Sequence, residues 1–330
     1  MPKTLTRCAV TGASGFVGRS LVSQLCAQGI DVKRLTRADS PDSSGKKALR
    51  ISTYGDAPAL AAALSGCHAV VHLAARAHRL HDTAAAAAEA AFREANVNGA
   101  KALAHAARTA GLRRVVLISS IGVHGSHTRG RPVTEADPPK PEEPYAVSKL
   151  QGEEAVAEVL AGSPTELVVL RPPLVYGPGA PGNFGQLLAL VKRLPLVPLG
   201  GLHRLRSLIH IDNLCNAIEL ALHHPHAAGG RFVLCDGDDV SVADIARELA
   251  IGFGRNPACV VNVPESALRL AARMLGRGAA VAKLADELRV DASAFRTATG
   301  WVPPRRAREA LRETAAMSLA DVRRKGVAHA

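Results

Sequence analysis

The sequence predicts a doubly wound α/β fold, a parallel sheet with helices on both faces and a smaller, discontinuous C-terminal region. Three observations carry that prediction. Over the first two-thirds of the chain, short β-branched or apolar runs alternate with longer helical stretches, the rhythm of βαβ units. A glycine-spaced turn, "TGASGFVG" (11–18), joins the first run to the first helix. After Arg171 the rhythm yields to "RPPLVYGPGAPGNFG" (171–185), too rich in Pro and Gly to be anything but loop.

The elements follow in order. "RCAVTG" (7–12) reads as a buried strand, and "RSLVSQLCAQG" (19–29) as a helix closed by Gly29. "DVKRLTR" (31–37) and "HAVVHLAA" (68–75) are further strands. The alanine-rich stretch 84–109 is predicted as one long helix, since alanine is the best helix former. "RRVVLISS" (113–120), a helix over about 145–161, and "ELVVLRPP" (166–173) complete the alternation. "RSLIHIDNLCNAIELALHH" returns to strand and helix, and "GRFVLCDG" (230–237) adds one more sheet strand. From about 238 the pattern is mainly helical, with breaks at Pro257, Pro264 and Pro303–Pro304. The expected division is a nucleotide-binding domain over 1–172, completed by about 208–236, and a second region from 173–207 and 237–330.

Composition narrows the class. The 330 residues are 47% hydrophobic and 21% charged, and no apolar run is long enough to span a bilayer. The N-terminal residues lack the apolar stretch of a signal peptide, so the expected location is cytoplasmic and no membrane insertion is expected. Six scattered cysteines without a CxxC pair suit free thiols better than a disulfide framework. The histidines at 78 and 81, and at 223, 224 and 226, have no neighbouring ligand pattern, so no metal is expected. The formal charge of +12 raises nucleic acid as a partner, but aromatics make up only 3% of the chain and stacking platforms are scarce. A basic surface steering an anionic small substrate is the better reading.

The chemistry starts at the glycine turn. Gly12, Gly15 and Gly18 lie after a strand and before a helix, the context in which glycines admit a dinucleotide pyrophosphate to the backbone. The helix N-terminus at Phe16 and Val17 then offers free N–H groups to phosphate, which makes the fold Rossmann-type. An acidic residue at the end of the second strand would favour NAD; Thr36 and Arg37 stand there instead, with Arg34 nearby. A guanidinium suits a 2′-phosphate, so NADP(H) is the preferred cofactor and NAD(H) the alternative. Ser119 and Ser120 end a central strand at the edge where such sheets bind ligands. In "EEPYAVSKLQGEEA" (142–155), Tyr145 and Lys149 share a helix face at i and i+4, where an ammonium would lower the phenol's pKa for proton exchange. With a serine hydroxyl, they would polarise a carbonyl while a dihydronicotinamide gives hydride.

TGxxGxxG, a serine at a strand end and YxxxK on the next helix together resemble the extended short-chain dehydrogenase/reductase family. The likeness extends over "HLAARAH" (72–78), "ANVNGAKALAHAA" (95–107), "RPPLVYGPG", "RSLIHIDNL" and "LRVD…TGWVPP" (288–304). Within it, "LAARAH" and "SSIGVHG" are most similar to reductases of UDP-4-keto-6-deoxy-N-acetylhexosamines, relatives of UDP-glucose 4-epimerase used in surface-polysaccharide synthesis. The resemblance implies Ser120 as catalytic serine, with Ser119 its neighbour, Tyr145 as acid/base, and Lys149 as the residue that grips the nicotinamide ribose. It places Asp56 on the adenine side and Ala74, Ala75, Asn96 and Pro172 along the cofactor. It assigns Asn183 and Arg206 to the diphosphate of a UDP-linked nucleotide sugar, and implies a homodimer through helix 84–109 and the helix after Tyr145.

Departures from the family's pattern also inform. His124 stands where the epimerases often carry tyrosine in "VYG", and Thr36 replaces the acidic ribose ligand. Both point toward an NADP-linked reductase acting at sugar C4, with a 4-epimerase holding NAD as the alternative. "SSIGV" lacks the Asp-Glu pair of 4,6-dehydratases, which ranks dehydration lower. A non-catalytic dinucleotide sensor is a further alternative, against which the intact tyrosine and lysine argue.

Overall fold

The computed structural model describes residues 5–37, 48–51, 53–76, 85–128, 130–274 and 286–327. In chain order the strands are β1 (Arg7–Thr11), β2 (Asp31–Thr36), β3 (Leu49–Arg50), β4 (Ala69–His72), β5 (Arg114–Ile118), β6 (Glu166–Arg171), β7 (Leu174–Tyr176), β8 (Leu205–Arg206), β9 (Leu208–His210), β10 (Arg231–Val233) and β11 (Val240–Ser241). Seven of them form one sheet in the order β10-β6-β5-β4-β1-β2-β3, with every pairing parallel. The strand order reverses at β1, which lies between β2 and β4, and a crevice opens there beyond the strands' carboxyl ends.

These strands read as continuous apolar runs because both faces are covered. Cys8 and Val10 face Leu21 and Leu25 of α1 (Phe16–Ala27) and Leu214 and Ile218 of α7 (Ile211–His223). Ala9, on the other face, joins Leu60 of α2 (Ala57–Leu64), Leu103 of α4 (Gly99–Thr109) and Val156 of α5 (Pro144–Leu160). The period-two alternation of side chains along β1 is what separates the two cores. Gly29, at φ 79°, takes the left-handed conformation that closes α1.

The alanine-rich stretch departs from a single helix. It divides into α3 (Ala85–Phe92), a π-helical turn over Arg93–Asn98, and α4. The wider turn is occupied by buried Asn96, whose carbonyl lies so close to α5 that a Cβ on Gly152 would stand 2.4 Å from it.

Asp56 caps α2, its Oδ1 accepting from the Ala59 amide at 3.0 Å. Asp56→Ala is expected to cost about 1 kcal/mol of stability, and Asp56→Asn far less, measured by denaturation midpoint.

The remaining elements form a second layer. Here β7 pairs with β9 and β11 with β8, and α6 (Gly182–Arg193), α8 (Val242–Gly252) and α11 (Ala307–Val327) enclose a core of Tyr176, Phe184, Leu208, Ile245, Leu249 and Leu311. Short helices α9 (Glu265–Met274) and α10 (Ser293–Thr299) lie between α8 and α11 in sequence. The buried Tyr176 hydroxyl donates to Asp236, which also accepts from His210 N–H and Asn213, a network joining the second layer to the strand-end turn after β10. Desolvation raises the Asp236 carboxyl to about 6. Among the described residues no helix is long and apolar enough to cross a membrane, and no group of His, Cys, Asp or Glu is gathered to hold a metal. His78 and His81 lie outside the described residues.

Candidate active site

The glycine turn is built as its spacing requires. Gly12 has φ 67°, and a Cβ there would meet Ala74 N at 2.9 Å. A Cβ on Gly18 would stand 2.2 Å from the Gly12 carbonyl oxygen, so only glycine lets α1 begin this close to the strand. Gly15 precedes the helix and donates its own N–H to the Gly12 carbonyl at 2.9 Å. The first helical bond runs from Arg19 N–H to Gly15 C=O, so the amides of Phe16, Val17 and Gly18 fall in the turn that has no intrahelical acceptors. No side chain caps this end and no acidic residue occupies it. The turn therefore fits the pyrophosphate of a dinucleotide.

At the adenosine end the two arginines separate. Arg34 is buried within β2, whereas Arg37 is exposed just past the strand, its guanidinium 5.9 Å from the centre of the Tyr54 ring. Thr36 is buried at the strand end. Across the crevice the Ala74 N–H donates to Thr11 Oγ1 at 3.2 Å, and exposed Ala75 follows. Asn96 clamps the next residue: its Oδ1 accepts from Arg76 N–H at 2.7 Å and its Nδ2 donates to the Arg76 carbonyl at 3.1 Å. The same amide donates to Ser148 Oγ at 2.9 Å, and Ser148 donates to the Tyr145 carbonyl at 2.7 Å. Asn96 thus ties the loop after β4 to the first turn of α5.

That turn carries the proton chemistry. Pro144 starts α5 at a position where a missing N–H costs nothing, and Tyr145 follows, half-buried with its ring 6.1 Å from Phe92. Ser120 sits on extended backbone just past β5, with Ser119 before it. Ser119 is buried, and its Oγ has no hydrogen-bond partner. Half-buried Ser120 accepts from Gly122 N–H at 3.1 Å, which leaves its own O–H to donate. A Cβ on Gly122 would be 3.4 Å from both Ser120 Oγ and Ala146 Cβ, so the serine's turn packs directly on the residue after Tyr145. Pro172, buried, accepts from the Ile121 amide at 2.9 Å and fixes this turn from β6.

Lys149 is buried and donates to the Ile118 carbonyl at 2.7 Å. Desolvation lowers its pKa to about 8, partly opposed by the Glu153 carboxylate. Burial pushes the Tyr145 phenol up to about 12, because a phenolate is costly to remove from water.

Behind Lys149 lies a buried chain of charge that the sequence reading did not include. Glu153, one turn further along α5, takes a bidentate grip from Arg171, Nε to Oε1 at 3.1 Å and Nη2 to Oε2 at 2.6 Å. Arg171 Nη1 then donates to His124 Nε2 at 2.8 Å. A guanidinium only donates, so His124 is neutral with its proton on Nδ1, and both burial and Arg171 lower its pKa. The i+4 spacing from Lys149 to Glu153 was available as a signal; the pairing to β6 was not.

Of the residues expected at the diphosphate, Asn183 is exposed in the first turn of α6 and Arg206 is half-buried in β8. Burial lowers the Arg206 pKa and Asp286 opposes this. Both belong to the second layer, apart from the elements that bring Ser120, Tyr145 and Lys149 together.

Residues 8–235 match the NAD dependent epimerase/dehydratase family. The chain belongs to that family. Among its relatives is a UDP-glucose 4-epimerase of Vibrio cholerae, 33% identical over 317 residues, covering 96% of this chain and 95% of that protein. A 4-hydroxy-2-methyl-3-oxo-4-farnesyl-3,4-dihydroquinoline-1-oxide ketoreductase of Stigmatella aurantiaca is 31% identical over 283 residues, covering 81% and 79%. The fold matches that of a short-chain dehydrogenase/reductase superfamily protein from Agrobacterium tumefaciens with bound NAD, at a TM-score of 0.73 and 24% identity over 97% of this chain and 99% of that one. Family membership and the glycine turn together make this an NAD-dependent epimerase/dehydratase-type protein with a Rossmann fold.

Proposed function

We propose that the chain is a reductase of a 4-keto nucleotide sugar, a UDP-4-keto-6-deoxy-N-acetylhexosamine, with NADP(H) as its preferred cofactor. The observation that carries this reading is the start of α5, where Tyr145 opens the helix that packs on the Ser120 turn and Ser120 keeps its O–H free to donate. A protonated phenol is a general acid, the role that carbonyl reduction needs. Arg37 as the exposed cation at the end of β2 supports the 2′-phosphate, and the ketoreductase relative supports the direction of reaction.

When bound, a dihydronicotinamide supplies the hydride accepted by C4. The chain's residues do the rest. Ser120 donates its O–H to the C4 oxygen and holds it in line, Tyr145 gives that oxygen its proton, and Lys149, fixed by Ile118, meets the nicotinamide ribose. The phosphates rest on the amides of Phe16 and Val17, with Gly12, Gly15 and Gly18 allowing the approach. Ala74, Ala75, Asn96 and Pro172 flank the cofactor, and Asp56 stands on its adenine side. Residues 173–207 and 237–330 take the nucleotide sugar, with Asn183 and Arg206 at its diphosphate. The working protein is a cytoplasmic homodimer through α4 and α5.

The second reading is a UDP-hexose 4-epimerase holding NAD, favoured by the Vibrio cholerae relative. One assay separates the two. With UDP-4-keto-6-deoxy-GlcNAc and NADPH, reduced-nicotinamide absorbance should fall in stoichiometric amount. Absence of oxidation, with UDP-glucose converting to UDP-galactose without added cofactor, would replace the reductase by the epimerase.

A further inference from the structure

Tyr54 is absent from every role assigned above, yet it holds the two ends of the cofactor crevice together. It lies between β3 and α2, far in sequence from the strands it touches. Its hydroxyl oxygen accepts from the Gly12 amide at 2.9 Å and donates to the Leu35 carbonyl at 3.1 Å. Gly12 follows β1 and Leu35 lies in β2, and the Gly12 N–H also donates to the Leu35 carbonyl directly at 3.1 Å, so the phenol braces a join between adjacent strand ends that the backbone itself makes. The Tyr54 ring meets His72 of β4 edge-on at 6.1 Å and 82°, and His72 Nδ1 is 2.8 Å from Thr11 Oγ1. The ring is thus fixed in rotation as well as position. Over it sits the guanidinium of Arg37, 5.9 Å from the ring centre.

Two consequences follow from those contacts. Gly12 N–H is already engaged by the phenol, so the phosphate must be met by the first-turn amides of α1. Arg37, exposed just past the strand end, rests over the face of the Tyr54 ring. Burial raises the Tyr54 pKa, which keeps its O–H in place as donor to Leu35.

We infer that Tyr54 is a positioning residue for cofactor choice: its ring orients Arg37 toward the 2′-phosphate of NADP(H), and its hydroxyl braces the glycine turn where Gly12 already bonds Leu35 of β2. The inference rests on the proposed NADP preference. It separates the two parts of the side chain by their effects. The hydroxyl acts on the turn and therefore on any dinucleotide; the ring acts on Arg37 and therefore on the 2′-phosphate alone.

The test is equilibrium binding of NADPH and NADH, followed by nicotinamide fluorescence, to the full chain and to Tyr54→Phe and Tyr54→Leu. Wild type should bind NADPH more tightly than NADH. Tyr54→Phe should weaken both by a similar factor, about three- to tenfold, and keep their ratio. Tyr54→Leu should also reduce the ratio, by about fivefold. Circular dichroism confirms that each variant is folded, and the Phe variant alone still tests the constant ratio. A wild-type preference that survives in Tyr54→Leu overturns the inference and leaves the NADP reading standing. A wild-type ratio near unity overturns both. A selective loss of NADPH binding in Tyr54→Phe would show that the hydroxyl, not the ring, sets the choice, and overturns the division of roles.

Discussion

Tyr145→Phe is expected to lower the rate of the proposed reduction by about a thousandfold and to leave cofactor affinity unchanged. The ring and its contact with Phe92 remain, so the loss reports the missing proton and not a repacked helix. The pH dependence adds a second sign to read. With the phenol near 12, Tyr145 is protonated throughout the neutral range and imposes no limb of its own there. Lys149, near 8, loses its charge as pH rises past that value. In the free protein, kcat/KM should therefore be flat below about pH 8 and fall above it, a limb that disappears in Lys149→Arg if that variant turns over. The measurement is a kcat/KM profile for wild type and both variants, with cofactor binding measured separately. Turnover within tenfold of wild type in Tyr145→Phe would remove the tyrosine from the chemistry.

Glu153→Ala is the expected large stability effect. The Glu153 and Arg171 side chains are 1% and 3% exposed, and removing the carboxylate strands a guanidinium away from water. Breaking one member of such a pair costs about 3–5 kcal/mol. Arg171 would keep only its bond to His124 Nε2, which is too weak an acceptor to replace a carboxylate. Replacing both residues, as Glu153→Leu with Arg171→Met, removes the uncompensated charge and should recover most of that loss. Denaturation midpoints of the single and double variants decide it. Equal destabilisation by single and double replacement would mean that packing, and not charge, is what the pair supplies.

The parts of this fold that sequence reading recovered are those carried by local patterns. The turn needs Gly12 and Gly18 because a Cβ at either would collide with nearby backbone, and that demand shows as a spacing in eight residues. Tyr145 and Lys149 share a face because helical periodicity puts them there. What escaped depends on contacts between distant segments. Nothing in the sequence joins Tyr54 to Gly12, or Glu153 to Arg171 and His124; the sheet order brings them together.

The same limit applies to residues that the sequence leaves side by side. Ser119 and Ser120 are indistinguishable by type and are separated by burial and by the Gly122 amide, from which Ser120 alone accepts. Sequence reading places Arg37 at the phosphate with Arg34 nearby, and the structure buries Arg34 within β2 and leaves Arg37 exposed. The spacing of Tyr145 and Lys149 carries no information on burial, which pushes the phenol up to about 12 and is a property of the packed chain. The π-helical turn around Asn96 interrupts an alanine-rich pattern that reads as uninterrupted helix.

The most direct measurement follows the hydride itself. NADPH carrying deuterium at its transferred position is given to the protein with UDP-4-keto-6-deoxy-GlcNAc, and the product is examined by NMR and mass spectrometry. The reductase reading predicts an alcohol with deuterium bonded to C4, formed in the wild type and lost in Tyr145→Phe. A product bearing only hydrogen at C4, or none from the keto sugar while UDP-glucose is epimerised, would contradict it.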